Sequence, residues 1–551
     1  MNRIDDRSRF ARTRESLSCT DATQHTLTAV GTLSTYQETT LNTDQYELES
    51  LLSDRFVLTW RHMSVVGLVC LLFVLLSFTP LTSHTTWLYA ARGEAILSEG
   101  QLPTTDVTQS LSQGMSYRET SWLGSIFWAV IARQSLEAVS WATTLLATTS
   151  LVLISVTLWQ ATRNSLLTGL GALWFALFAW SWLGLGSPLL LVLPLWIGLI
   201  VLTLRGSTSL SRSVATLALV LLWANLDASV FVGVAFLAIA WLGNSTATLL
   251  ENNFRWKKLL LDRNFQIAAV TLELSILATL LTPLGIGLWT DVYDSWSLRH
   301  VPLDVISMAG LCLLVASVLL GVILRKHQGT LPVAEVLTIS ILGILSLSMA
   351  SHVVWFAPLA VLVLIPRVQS ALAIAADPVL VPTETREQPE AKPPVLRFAY
   401  SLGAVLLCWI AFAISPLSQA VLGGQPRTIG QLFDDATPVA ATRYLRENPV
   451  DGLVFAPAAW GDLLQSPQGG RADVFATTSM THLPQQAKYD YNRLNRGESI
   501  WQGIADRYAI AAMVIDKQSQ TALLETVHAG HENWQVAFED DLSLILRRSG
   551  K

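Results

Sequence analysis

Residues 63–81 read MSVVGLVCLLFVLLSFTPL and carry no charge. At about 1.5 Å of rise per residue such a run spans a hydrocarbon core of about 30 Å. Inside that core every backbone N–H and C=O must be paired within the segment, which a helix does. Arg61 and His62 lead the run in, and the long polar stretch before it is not the layout of a cleaved signal peptide. Working outward, comparable runs recur at Ala138–Gln160, Ser165–Leu183, Pro188–Leu204, Ser213–Trp223, Val230–Leu242, Phe265–Leu281, Ile306–Leu324, Leu331–Ala350, Val353–Ile365 and Phe398–Ser415. Trp122–Ala132 is shorter and reads as a half-helix or as the middle of a longer crossing. The expected fold is therefore mostly α, a polytopic helical membrane bundle of about 11–13 spans.

Composition agrees. Of 551 residues, 51% are hydrophobic and 14% charged, against about 25% charged in soluble domains. Twenty tryptophans suit a chain with two membrane interfaces. A net charge of -5 leaves no electrostatic footprint for nucleic acid. The four cysteines, Cys19, Cys70, Cys312 and Cys408, form no C-x-x-C pair, so neither a disulfide framework nor a cysteine metal site is expected.

Positive residues set an expected orientation. The connections holding Arg163, Arg205 and Arg212, Arg255 with Lys257 and Lys258, and Arg325 with Lys326 read as cytoplasmic. The count closes if Ser213–Leu242 is a hairpin of two short helices; one long kinked helix is the alternative. On the hairpin reading the N-terminus is inside, and Thr82–Ser121, Asn225–Asp227, Thr282–Asp304 and Ser351–His352 face outside. Residues 1–60 read as a disordered cytoplasmic tail, 61–376 as the transmembrane domain with its outer loop at 82–121, 377–397 as a Pro-rich acidic linker, and 398–415 as the last transmembrane helix. Residues 425–551 change composition and read as a soluble outer α/β domain. Its expected helices are Val439–Arg446, Ser499–Tyr508 and Gln518–Val527. Its expected strands are Gly452–Ala456, Asp473–Ala476 and Ile510–Ile515, with a closing hairpin of Trp534–Phe538 and Leu542–Leu546.

Chemistry-bearing residues collect in the loops rather than the spans, where Glu273 and Glu335 are the exceptions. A transporter would place ionisable groups within its spans. The first loop reads TWLYAARGEAILSEGQLPTTD over residues 86–106 and YRETSWLG over 117–124. Leu88, Ala91, Ala95 and Ile96 predict an amphipathic helix lying on the membrane, ended by Gly100 and Pro103. Two further stretches stand out, LLWANLDAS at Leu221–Ser229 and LLTPLGIGLW at Leu280–Trp289.

Together these stretches resemble the polytopic glycosyltransferases of the GT-C superfamily, in particular a bacterial branch with "G-x-hPxxD…W…xxWL" in its first loop, "LWANLHGG" and "LLNPYGxxLY". TPVAATRYLRENPVDGLVFAPAAWGDLL at Thr437–Leu464 and RYAIAAMVID at Arg507–Asp516 are similar to the outer domain that some members carry. The resemblance covers most of Met63–Lys551 and is one of pattern. It implies transfer of a sugar from a polyprenyl-phosphate donor to an acceptor at the outer face of a bacterial cytoplasmic membrane. It also implies that the loop acid, Asp106, acts as base or positions the acceptor and a divalent cation; Glu119 is a second carboxylate of the same loop. Arg92 and Arg118 match a lipid phosphate, and Trp122, Asn225, Asp227, Arg299, His300 and His352 are candidate substrate contacts. The chain departs from the pattern at Val107–Ser112, where aromatic residues are usual, at Asp227 for histidine, at Leu284 for tyrosine and at Thr282 for asparagine. Bland readings stand beside these: Asp106 as a cap or turn residue, Arg118 as a headgroup anchor, and the chain as a non-catalytic membrane protein whose outer domain binds a partner or glycan. His528 and His531 have metal-like spacing without a third ligand.

Overall fold

The computed structural model describes residues 58–549 apart from 83, 107–108, 113–114, 116, 206–208, 297–300, 327–330, 376–393, 426, 481–482 and 530–532. The expected disordered tail up to residue 57, most of the linker, Cys19 and His531 lie outside the described residues.

The helices of ten or more residues in the first three quarters of the chain are α1 (Trp60–Ser77), α2 (Thr86–Glu99), α3 (Trp122–Gln134), α4 (Leu136–Thr162), α5 (Ser165–Leu183), α6 (Pro188–Leu204), α7 (Leu210–Leu226), α8 (Val230–Glu251), α9 (Arg263–Thr279), α10 (Gly287–Trp296), α11 (Met308–Lys326), α12 (Val333–Ser348), α13 (Val353–Ala375) and α14 (Pro394–Ile414). Among the described residues, six are long and apolar enough to cross a membrane: α1, α4, α5, α8, α11 and the helix centred on α13. Four shorter apolar helices, α6, α7, α12 and part of α14, accompany them. Helix α13 lies at the centre of the bundle, 78% buried over its most apolar window, whereas α1 on the rim is 17% buried.

Residues 213–242 form a hairpin. Ser213 near the start of α7 accepts from Thr271 Oγ1 at 2.9 Å, and Trp241 of α8 stacks on Phe265 at 5.4 Å. Thr271 and Phe265 are about 9 Å apart along α9, whereas Ser213 and Trp241 on one straight helix would be about 42 Å apart. The chain turns at Asp227–Ser229, where Trp223 Nε1 donates to Ser229 Oγ at 3.0 Å. The turn places Asn225 and Asp227 at the same end of the bundle as the first loop, called the loop end here.

At the other end, Pro366 inside α13 has no N–H for the carbonyl of Leu362. Arg205, just past α6, supplies the missing donor at 3.0 Å and also donates to the Thr157 carbonyl of α4 at 2.8 Å. One guanidinium thus ties α13 to α4. Beside it Glu335 of α12 accepts from Arg367 of α13 at 3.0 Å on each oxygen, so the acid read within a span is paired.

The C-terminal part contains α15 (Val439–Glu447), α16 (Ala458–Gln465), α17 (Gln485–Asn495), α18 (Trp501–Arg507) and α19 (Thr521–Ala529) around one sheet. Its strands, β1 (Leu453–Phe455), β2 (Ile510–Asp516), β3 (Trp534–Glu539) and β4 (Ser543–Arg548), run in the order β1-β2-β4-β3, with β1 parallel to β2 and the other pairs antiparallel. Alternation along β2 sends Met513 and Ile515 to a core with Phe475, Tyr491 and Trp501, and Ala512 and Val514 to a second core with Leu445 and Trp460. Both faces are covered, as the apolar run through β2 implies. The strand expected at Asp473–Ala476 shrinks to one bridge, Val474 to Val454. The chain leaves the sheet there because Thr478 turns to give its N–H and its hydroxyl to Asp462, at 2.9 and 2.6 Å.

Candidate functional site

Helix α2 departs from the expectation of a helix lying on lipid: it is packed within the protein. Trp87, Leu88, Ala90, Ala91, Gly93 and Ile96 are buried, against α3 on one side and α16 on the other. A Cβ on Gly93 would stand 2.0 Å from the Ser125 carbonyl oxygen, so only glycine lets α2 and α3 approach this closely. Gly100 ends the helix as expected, at φ +68°. The start is less usual. Thr85 has φ 60° and ψ -69°, with Thr86 N–H donating to His84 C=O at 2.7 Å, a strained γ-turn for a β-branched residue. The Thr85 N–H donates to Asp462 Oδ2 of α16 at 2.9 Å, so the C-terminal part fixes where α2 begins.

One face of α2 carries Tyr89 and Arg92. Glu119 is 2% exposed and Asp106 3%. Glu119 receives the Tyr117 hydroxyl on Oε2 and the Ser121 N–H on Oε1 at 3.0 Å, with Arg92 Nε at 3.5 Å. Burial lowers the affinity of Arg92 for its proton, but Tyr117, Glu119, Tyr89 and Asp106 outweigh it and hold Arg92 above its ordinary range. Burial, opposed by Arg92 and reinforced by Glu119 and Asp106, raises Tyr117 well above a normal phenol. Tyr117 therefore stays protonated and donates. The two loop carboxyl groups thus share the surroundings of one guanidinium.

The cluster is tied to the α7–α8 turn. Ser121 Oγ donates to Asp227 Oδ1 at 2.9 Å, and Trp122 Nε1 donates to Asn225 Oδ1 at 3.3 Å. Arg118 points elsewhere, to Thr290 Oγ1 at 2.8 Å and Asp291 Oδ1 at 3.4 Å on α10, and stays 46% exposed. Gly287 makes room for it, since a Cβ there would lie 3.1 Å from the guanidinium. His352 is buried in a 3-10 turn between α12 and α13, where its N–H donates to the Met349 carbonyl at 2.9 Å and its ring Nδ1 lies 3.5 Å from Ser351 Oγ. Arg299 and His300 lie outside the described residues.

A divalent cation does not fit this cluster as arranged. Both Glu119 oxygens are engaged and Arg92 stands where a cation would sit. Among the described residues no three His, Cys, Asp or Glu side chains gather as a metal site. Tyr117 and Ser121 were not singled out in the sequence, although Tyr117, Glu119 and Ser121 alternate, the spacing that puts side chains on one side of an extended segment.

No protein-family model matches the chain, and no curated protein matches it. Solved structures do. The oligosaccharyltransferase of Archaeoglobus fulgidus, tethered with an acceptor peptide, aligns with a TM-score of 0.49 and 12% identity over 89% of this chain and 74% of its own. ArnT from Cupriavidus metallidurans bound to undecaprenyl phosphate gives 0.46 and 12% over 88% and 97%. The arabinofuranosyltransferase AftD from Mycobacteria gives 0.49 and 14% over 90% of this chain, which spans 42% of that protein. At these scores the likeness assigns no activity to this chain.

Proposed function

We propose that this chain is a membrane glycosyltransferase that moves a sugar from a polyprenyl-phosphate donor to a hydroxyl acceptor at the outer face of a bacterial cytoplasmic membrane. The observation that carries the reading is the gathering of Asp106, Glu119 and Arg92 from the first loop beside Asn225 and Asp227 of the α7–α8 turn. In this scheme the acceptor oxygen bonds to the anomeric carbon, the bond from that carbon to the phosphate oxygen breaks, and polyprenyl phosphate leaves. Asp106 takes the acceptor's proton. Glu119, with both oxygens engaged, is a positioning residue that holds the loop through Tyr117, Ser121 and Arg92. Exposed Arg118, held beside α10 by Thr290 and Asp291, meets the donor phosphate.

The test is transfer of labelled sugar from polyprenyl-phosphate donors by the full chain in liposomes. Asp106→Asn is expected to lower turnover by about 10²–10⁴-fold with unchanged folding, and Arg118→Gln to raise the KM for donor more than it lowers kcat. Transfer that survives Asp106→Asn refutes the assignment. Burial of both carboxyl groups favours the second reading, a non-catalytic membrane protein in which the cluster only orders the loop. On that reading no donor is turned over and Asp106→Asn changes stability alone.

A further inference from the structure

The end of the bundle away from the loop holds a charged cluster of its own. Arg205, Glu335 and Arg367 line a cavity of about 260 Å³ there, with Ser370 of α13 beside them. The two ends are well separated. A Cβ on Gly124 of α3 would lie 2.8 Å from Pro188 Cβ, which puts the start of α6 at the loop end. The 17 residues of α6 then carry the chain about 25 Å to Arg205. The cavity is therefore no part of the site at Asp106 and Arg118.

The cluster has two guanidinium groups and one carboxylate. Glu335 is matched by Arg367, whose Nη2 donates to both of its oxygens at 3.0 Å. Among the described residues Arg205 forms no ion pair. Its terminal nitrogens donate to two backbone carbonyls, which satisfies hydrogen bonds and leaves the charge. One positive charge is thus in surplus in a half-buried setting, where a counter-charge offsets the lost hydration. Donors remain for a ligand as well. The Arg367 side chain is 32% exposed, and Glu335 uses one of its three nitrogens. Nε and Nη1 make no hydrogen bond among the described residues and are not sealed from solvent. A phosphodiester carries one negative charge and two free oxygens, which match the surplus charge and a guanidinium fork. The volume lies below the range of about 300–1,000 Å³ for drug-sized ligands, so the cavity takes a phosphate with short ester arms rather than a nucleotide. Ile200, Leu204 and Leu362 make up much of the remaining wall. Apolar surface beside a cationic pocket at the ends of membrane helices suits a phospholipid headgroup better than a free ion.

We infer that the cavity walled by α6, α12 and α13 binds the phosphodiester headgroup of an anionic phospholipid, held by Arg367 and by the surplus charge of Arg205. The inference stands whether or not the cluster at Asp106 turns over. The experiment is native mass spectrometry of the full chain in detergent, titrated with phosphatidylglycerol, phosphatidylcholine or inorganic phosphate. Phosphatidylglycerol is expected to bind saturably, at least about tenfold more tightly than phosphatidylcholine, whose choline cancels the phosphate charge. Ser370 is exposed and three residues beyond Arg367 on the same helix face. Ser370→Glu therefore puts a carboxylate on the cavity wall without disturbing the fold or any ion pair, and is expected to weaken phosphatidylglycerol about tenfold or more. The double variant Glu335→Gln, Arg367→Gln removes the donors while stranding no charge and is expected to do the same. Equal binding of the two lipids by the wild type, or phosphatidylglycerol binding that either variant leaves intact, overturns the inference. Saturable binding of inorganic phosphate with none of phosphatidylglycerol refutes the lipid and assigns the cavity to a free anion.

Discussion

Asp462 makes the attachment of the C-terminal part to the loop sensitive to pH. Its carboxylate is fully buried and accepts from Thr85 N–H, Thr478 N–H and the Thr478 hydroxyl. Burial is the larger influence and pushes it up to about 6, with the hydrogen bonds from Thr478 and Thr85 opposing. The folded form therefore holds this proton more tightly than the unfolded chain does. Between the two values stability falls as pH rises, and above about 6 the loss is complete. From the ordinary value of 3.8 to about 6 the full effect is roughly 3 kcal/mol, of which roughly half falls between pH 5 and pH 8. The assay is thermal unfolding of the purified chain at pH 5 and pH 8, for wild type and Asp462→Asn. Other acids contribute to the wild-type slope with the opposite sign, such as Asp490, which its partners hold below the ordinary range against the effect of burial. The quantity to read is therefore the difference between the two proteins. Wild type is expected to lose about 1–2 kcal/mol relative to Asp462→Asn on going from pH 5 to pH 8. An equal slope in both proteins, or a difference of the opposite sign, refutes the account.

Thr85→Gly is expected to raise stability by about 1 kcal/mol, because glycine adopts positive φ without the penalty that a β-branched residue carries; urea unfolding reads it. Arg427→Met is expected to cost about 3–5 kcal/mol, since it strands Glu137, which Arg427 meets at 2.9 Å while also donating to Ser77 C=O and Ser140 Oγ. Cys70 of α1 and Cys408 of α14 stand with their sulfurs 3.9 Å apart. Mild oxidation of the native chain is expected to join the two helices, read as a crosslink that survives proteolysis between α13 and α14; Cys408→Ser removes it.

Much of this architecture was legible because the membrane and the sheet each impose a period on the sequence. The apolar runs mark α4, α5 and α6 within two residues and the start of α13, which runs ten residues past the expected Ile365 to Ala375, and Val439, Leu453, Ile510 and Trp534 open their elements within two positions of expectation. Two features needed the tertiary structure for one reason. Helix α2 has an apolar stripe, and a stripe says that a face is covered without saying by what; here the cover is α3 and α16 rather than lipid. Glu119 reads as a candidate catalytic acid because spacing alone does not reveal Tyr117, Ser121 and Arg92 around it. Asp462 sits in WGDLLQ, a stretch whose importance arises only from elements more than three hundred residues upstream.

Those long-range contacts give the C-terminal part a definite task. It holds the loop at several points. Leu81 N–H donates to Leu432 C=O at 2.6 Å and Asp434 N–H returns a bond to Leu81 C=O at 3.0 Å. Gln109 Nε2 donates to Thr477 Oγ1 at 2.5 Å, and Gln468 Nε2 donates to the Ala132 carbonyl at the end of α3 at 3.3 Å. Trp87, Trp128, Val139, Phe433 and Leu463 close a shared apolar core among the same elements. The loop has short helices and little sheet of its own, so its backbone must find partners elsewhere or stay solvated. Arg92 and Tyr89 are carried by α2, whose start is fixed by Asp462 and whose flank rests on α16. The position of the candidate acidic cluster is therefore set from the C-terminal side of the chain as much as from the bundle. Truncation before residue 425 would remove those partners, release the strained turn at Thr85, and leave α2 with α3 as its main support.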